Sequence, residues 1–96
     1  MKMVIIIHNE GIETEVMELL TEFEIEGFTR WMKVQGKGKG SGPHLDTHIW
    51  PAINSVLAVA IEDDKKDRLI ERIKEMRLKL GKEGIKAFVL PVDEVT

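Results

Sequence analysis

A glycine-rich segment in the middle of the chain has the composition of an anion-binding loop. Glycine occupies every second position from Gly36 to Gly42, and Lys37 and Lys39 lie between the first of these glycines. Such a segment can turn successive backbone N–H groups toward one phosphate, while the lysines supply positive charge. The spacing is not that of a P-loop, and no helix follows at once, so neither a P-loop nor a Rossmann site is predicted. A solvated, flexible loop is the alternative.

Two histidines and an aspartate follow the glycines at alternate positions. His44, Asp46 and His48 share one side of an extended chain, and on a helix the two histidines still share a face. Imidazole and carboxylate groups bind zinc, copper, nickel or iron near neutral pH. The segment therefore predicts a divalent transition-metal site at His44, Asp46 and His48. Contact with an effector or partner, and structural anchoring of the loop, are the alternatives that the pattern leaves open.

The composition excludes several classes of chemistry. The 96 residues contain no Cys, which rules out disulfides, thiolate metal sites and cysteine nucleophiles. The chain has 14 Lys and Arg and 17 Asp and Glu, so its net charge is negative and no nucleic-acid partner is expected. Only the segment from His44 to His48 offers groups for catalysis, and we predict that the protein is not an enzyme. A chain without Cys is compatible with the cytoplasm, and the apolar run Met3–Ile7 is too short for a signal peptide or a membrane span.

Four segments of the chain have the residue patterns of β-strands. Lys2–His8 and Ser55–Ile61 are continuous apolar runs, which are typical of strands buried near the centre of a sheet. Phe28–Gln35 alternates imperfectly between apolar and polar residues and predicts another strand. Ile85–Val92 predicts the last strand, and Pro91 places at least its end at a sheet edge.

Two amphipathic helices separate these strands. From Ile12 to Phe23 apolar residues follow a helical spacing, and Gly27 is the predicted stop. Asp63 or Asp64 can cap the second helix. Its predicted apolar face consists of Leu69, Ile70, Ile73, Met76 and Leu80. The order of elements is therefore βαββαβ.

This order predicts an α+β protein with a ferredoxin-like fold. Right-handed crossovers place both helices on one face of a four-stranded antiparallel sheet of order 4-1-3-2, in one domain over residues 1–96. Periodicity disappears between Gly36 and Asn54, which predicts a long loop. Two helices cannot cover the second face of the sheet, so its apolar residues predict association of chains through their sheets.

The segment Gly84–Val95, with the sequence Gly-Ile-Lys-Ala-Phe-Val-Leu-Pro-Val-Asp-Glu-Val, resembles the closing strand of the PII signalling proteins. Gly27-Phe-Thr-Arg at the start of the second strand, the Gly-Lys stretch over 36–40 and the element order are also similar to that family. The chain thus resembles a divergent member of the nitrogen regulatory protein PII superfamily, which is related in architecture to the trimeric cation-tolerance proteins.

The resemblance implies a regulatory homotrimer with effector clefts between its subunits. It also implies a long loop that docks on a target protein, for which a membrane transporter is one candidate, without insertion into the membrane. An adenine nucleotide is the implied effector. Its implied contacts, which include the loop glycines and lysines considered above, are Gly36, Lys37, Gly38, Lys39, Gly40 and Lys86. The metal hypothesis gives the alternative function, a trimer for metal sensing or tolerance.

Three features depart from the family pattern. The chain has no Tyr, which typical members carry in a longer loop as a modification site. The segment Leu80–Glu83 stands where those members have Thr-Gly-Lys followed by further glycines. Their basic C-terminal extension is expected to be missing beyond Thr96. These departures predict weaker nucleotide binding than in typical members.

Overall fold

The computed structural model describes residues 1–37, 52–80 and 84–96, which form a four-stranded antiparallel sheet with two helices. The strands are β1 (Lys2–Asn9), β2 (Thr29–Gly36), β3 (Ala52–Ile61) and β4 (Ile85–Pro91), and the helices are α1 (Glu13–Glu22) and α2 (Asp63–Leu80). The sheet order is β2-β3-β1-β4, which is the predicted order 4-1-3-2 written from the other edge. The ferredoxin-like βαββαβ prediction is confirmed.

The two central strands bury every second side chain against the helices. Val4 and Ile6 of β1 and Leu57 and Val59 of β3 are 1% exposed or less. Apolar side chains of both helices complete this core, namely Val16, Leu19, Leu20, Leu69, Ile73 and Met76. Both helices therefore lie on one face of the sheet, as predicted. In the described part of the chain, neither helix is long and apolar enough to cross a membrane.

The structure corrects the predicted bounds of β3 and α2. β3 begins at Ala52, ahead of the predicted start, because its first residues pair with the end of β2. α2 begins at Asp63, so Asp63 and Asp64 lie in its first turn, where their charges suit the helix dipole. Leu80, the last residue of α2, is 41% exposed, and the buried stripe of this helix ends at Met76.

An extra residue interrupts the pairing of β2 with β3. The register shifts between Trp31 and Val34, and Lys33 has a φ of 57°, which is the left-handed conformation. These are the properties of a β-bulge, in which two residues of one strand oppose a single residue of its partner. The bulge is the physical reason why apolar and polar residues alternate imperfectly along this strand.

α1 ends in a Schellman motif around Glu24, and the prediction that Gly27 stops the helix is wrong. The N–H of Ile25 donates to the carbonyl of Leu20 at 2.9 Å, and the N–H of Glu24 donates to that of Thr21 at 3.0 Å. Glu24 has a φ of 54°, a conformation that glycine adopts without the cost imposed by a side chain. Ile25 then returns to the core with 8% exposure. Burial of Ile25 therefore offsets the local cost at Glu24.

Replacing Glu24 with glycine is expected to raise the free energy of unfolding by about 1 kcal/mol. The change removes the steric cost of a Cβ atom in the left-handed conformation. It also removes a negative charge from the C-terminus of a helix, where the helix dipole disfavours it. Urea unfolding at matched protein concentrations measures the effect. Glu26→Gly is the control and should give no gain, because Glu26 has no positive φ. A loss of stability in Glu24→Gly would contradict this explanation of the helix end.

Candidate functional site

The predicted effector residues divide between the two edge strands of the sheet. Gly36 is the last residue of β2, and Lys37 follows it with an exposed side chain. Lys86 is the second residue of β4 and is also exposed. Both parts lie at the same end of the sheet, because β2 ends where β4 begins. Gly38, Lys39 and Gly40 lie outside the described residues.

Within one chain these two parts are far apart. Lys86 aligns with Ile7 of β1, which aligns with Val56 of β3, whereas Gly36 aligns with Ala52. Three strand spacings separate β2 from β4, which amounts to about 14 Å, and the offset along β3 adds about 13 Å in the perpendicular direction. A single subunit therefore holds its described effector residues on opposite edges of the sheet.

An apolar surface lies between the two edges, on the face of the sheet opposite the helices. We define this open face by its residues: Met3, Ile5, Ile7, Trp31, Val56, Ala58, Ala60, Phe88 and Leu90. Trp31 on β2 is 52% exposed, and Phe88 and Leu90 on β4 are 46% and 48% exposed. No described element covers the open face. A contiguous apolar surface of this kind marks a place of association.

Lys86 lies at the margin of the open face, beside an aromatic ring. Its Nζ atom is 5.4 Å from the centroid of the Phe88 ring, which is a cation–π distance. An ammonium group can bind a phosphate, and an aromatic ring can pack against a flat apolar base. The Lys86 and Phe88 pair therefore has the chemistry needed for two different parts of a nucleotide.

The predicted metal ligands His44, Asp46 and His48 lie outside the described residues, so the metal hypothesis stays a prediction. Within residues 1–37, 52–80 and 84–96, no three His, Asp or Glu side chains come together in a way that could hold a metal ion. The described structure therefore adds no support for the metal alternative.

A polar cluster that the sequence did not indicate joins α1 to the sheet. Arg30 of β2 donates from Nη1 to Oε1 of Glu13 at 2.8 Å, and Ser55 of β3 donates from Oγ to Oε2 at 3.5 Å. The Arg30 and Glu13 side chains are 29% and 27% exposed, so the ion pair is shielded from much of the solvent. Glu13 thus connects the first turn of α1 to two strands.

His8 is buried on the core side of the sheet, opposite Ser55 in the register and only 1% exposed. Its Nδ1 atom lies 3.0 Å from the backbone oxygen of Asn9, which is a hydrogen bond in the tautomer protonated at Nδ1. Its Nε2 atom has no hydrogen-bond partner among the described residues. His8 therefore belongs to the interior and does not contribute to the open face.

Two solved structures of PII-like proteins have a fold similar to that of this chain. CPII, a nitrogen regulatory PII-like protein from Thiomonas intermedia K12 solved with ADP, AMP and bicarbonate, gives a TM-score of 0.73 at 16% identity, over 95% of this chain and 88% of that one. A putative PII-like signalling protein from Thermus thermophilus gives a TM-score of 0.64 at 21% identity, over 95% of this chain and 85% of the other. At these identities the similarity establishes the fold alone, which is that of PII-like proteins.

Sequence comparison establishes the family. The family model "Nitrogen regulatory protein P-II" matches residues 1–96. A GlnB-like protein from the nitrogen fixation nifHD1 region of Methanosarcina barkeri is 35% identical over an alignment of 96 residues, which covers 98% of this chain and 90% of the relative. The chain belongs to the nitrogen regulatory protein P-II family, as a divergent, PII-like member. The resemblance found in the sequence is confirmed, and with it the regulatory class of the protein.

Proposed function

We propose that the chain forms a homotrimeric regulatory protein that binds an adenine nucleotide in clefts between its subunits. The segment over 37–51, between β2 and β3, then docks on a target protein in the cytoplasm, for which a membrane transporter is one candidate. The observation that carries this proposal is the placement of Gly36 and Lys86 on opposite edges of one open face. A second subunit seated on that face buries its apolar side chains and brings the β2 edge of one chain toward the β4 edge of another.

Burial of the open face supplies the driving force for this assembly. Removing apolar surface from water contributes about 25 cal/mol for each Å². Specific interfaces bury roughly 800 Å² on each partner. One strand cannot supply this area, so the interface must extend over several strands. The open face meets this requirement, since it takes side chains from all four strands. A rotational arrangement that closes on itself pairs every copy of the face with a neighbouring subunit.

Three observations favour an adenine nucleotide as the effector. CPII from Thiomonas intermedia was solved with ADP and AMP. In the present chain Lys37 and Lys86 are exposed and offer ammonium groups to phosphates. The Phe88 ring lies beside Lys86, where it can pack against a base. Because Leu80–Glu83 departs from the family pattern, we expect a weaker affinity than typical members have.

Light scattering and calorimetry test the proposal together. Light scattering should show one species of three chains, each of 10.9 kDa, and calorimetry should detect binding of ADP or AMP. Lys86→Gln should weaken that binding about tenfold, because it removes a charge-assisted contact with phosphate. Lys74→Gln is the matched control, since it removes a lysine charge that is exposed on α2. A monomer would contradict the assembly, and full binding by Lys86→Gln would contradict the site.

A further inference from the structure

The side chain of Asn54 fills the space that a side chain at Gly36 would occupy. An ideal Cβ placed on Gly36 would lie 2.5 Å from Nδ2 of Asn54 and 3.7 Å from its Cγ. The register explains this contact, because Gly36 pairs with Ala52, and Asn54 is its diagonal neighbour on the same face of the sheet. Asn54 therefore lies over the end of β2, directly before Lys37.

The backbone pairing of β3 with β1 links Asn54 to the opposite edge of the sheet, because Asn9 is its partner in the register. The two asparagines pair across β3 and β1 and project to the same face. The N–H of Asn9 donates to the carbonyl of Gly84 at 2.8 Å, and its Oδ1 accepts from the N–H of Gly11 at 2.7 Å. Gly84 directly precedes β4, close to Lys86. We call this path the asparagine bridge, and its residues are Gly36, Asn54, Asn9 and Gly84.

We propose that Asn54 is a positioning residue, which holds the end of β2 in a fixed place relative to the start of β4. Lys37 follows one end of the asparagine bridge, and Lys86 lies beside the other end. The role in effector binding rests on the function proposed above, in which Lys37 of one subunit and Lys86 of another are proposed contacts in each cleft, so the bridge within one subunit joins two neighbouring clefts. The bridge itself is a property of the fold and exists without a ligand.

The steric relation makes Gly36 necessary for the placement of Asn54 and not for folding. A methyl group at position 36 meets the far end of a side chain that can rotate away, so Gly36→Ala should remain folded. The same rotation takes the carboxamide out of the bridge. Gly36→Ala and Asn54→Ala therefore remove one and the same contact, and the double variant should show no more than the effect of either single variant.

Nuclear magnetic resonance of the ligand-free protein tests the bridge directly. Gly36→Ala and Asn54→Ala should each shift the amide signals of Lys37 and Asn9 and accelerate hydrogen exchange at the Asn9 amide. The double variant should match the single ones. Gly27→Ala is the control that should shift neither signal, because a Cβ on Gly27 meets nothing within 4 Å. Unchanged signals of Lys37 and Asn9 in Asn54→Ala would overturn the proposal.

Calorimetry with ADP tests the role of the bridge in binding. Each single variant should weaken ADP binding about fivefold, and the double variant should weaken it by the same factor and not by the product. Factors that multiply would show that Asn54 acts independently of Gly36, which would overturn the positioning role. If the parent protein binds no nucleotide, the proposed function fails, whereas the magnetic resonance result still decides whether the bridge exists.

Discussion

An Ile5→Glu variant should not assemble, and light scattering at micromolar concentration should show single chains only. Ile5 lies on the central strand β1, with Ala58 as its partner on β3 and Phe88 as its partner on β4. It therefore occupies the middle of the open face. A carboxylate buried there without a partner carries a large desolvation cost, and every subunit of a trimer would bear that cost.

Leu78→Glu is the matched control for this experiment. Leu78 is 85% exposed on α2, so the same chemical change there should leave the trimer intact. Ile5→Thr keeps a β-branched side chain and replaces the ethyl group with a hydroxyl, and it should give a mixture of species that depends on protein concentration. This milder variant keeps the test decisive even where the charged variant fails to fold. Intact trimers in both Ile5 variants would show that the open face is not the association surface.

Replacing Glu13 with alanine should lower the free energy of unfolding by about 2 to 3 kcal/mol. The change removes the acceptor for Arg30 at 2.8 Å and for Ser55 at 3.5 Å. It also leaves the guanidinium of Arg30, whose side chain is 29% exposed, without its counterion in a partly shielded place. Urea unfolding followed by circular dichroism measures the loss.

Two further variants identify the cause of this loss. Glu18→Ala removes a glutamate from the exposed surface of the same helix and should change stability by no more than about 0.5 kcal/mol. Glu13→Gln keeps an oxygen acceptor and the shape of the side chain, so it should cost less than Glu13→Ala. Equal effects of alanine at positions 13 and 18 would mean that the ion pair contributes nothing to stability.

The periodicity of the sequence determined the architecture of this protein. Lys2–His8 and Ser55–Ile61 are apolar at nearly every position, which places them on central strands, and the structure puts them in β1 and β3. The helical spacing after Ile12 located α1 for a similar reason. Such patterns are local, because each arises from the burial of one segment on one or two faces. The motif in Gly84–Val95 then indicated the family.

The end of α1 shows where a local rule failed. Glycine is the usual residue after a helix, so Gly27 was the expected stop. In the structure the chain leaves the helix earlier, through Glu24 in the left-handed conformation, because Ile25 enters the core. The burial of Ile25 therefore determines where the helix ends, and Glu24 adopts the left-handed conformation that this ending requires. The sequence of this segment alone does not show which of its apolar side chains will be buried in the core.

The residues of the polar cluster and of the asparagine bridge come together only in the tertiary structure. Glu13 belongs to a run of glutamates that look alike in sequence, and only the packing of α1 on the sheet brings it to Arg30. Asn54 meets Gly36 because of the register between β3 and β2, which the bulge in β2 shifts by one residue. Register is a joint property of two strands that are distant along the chain, so neither strand's own sequence contains it.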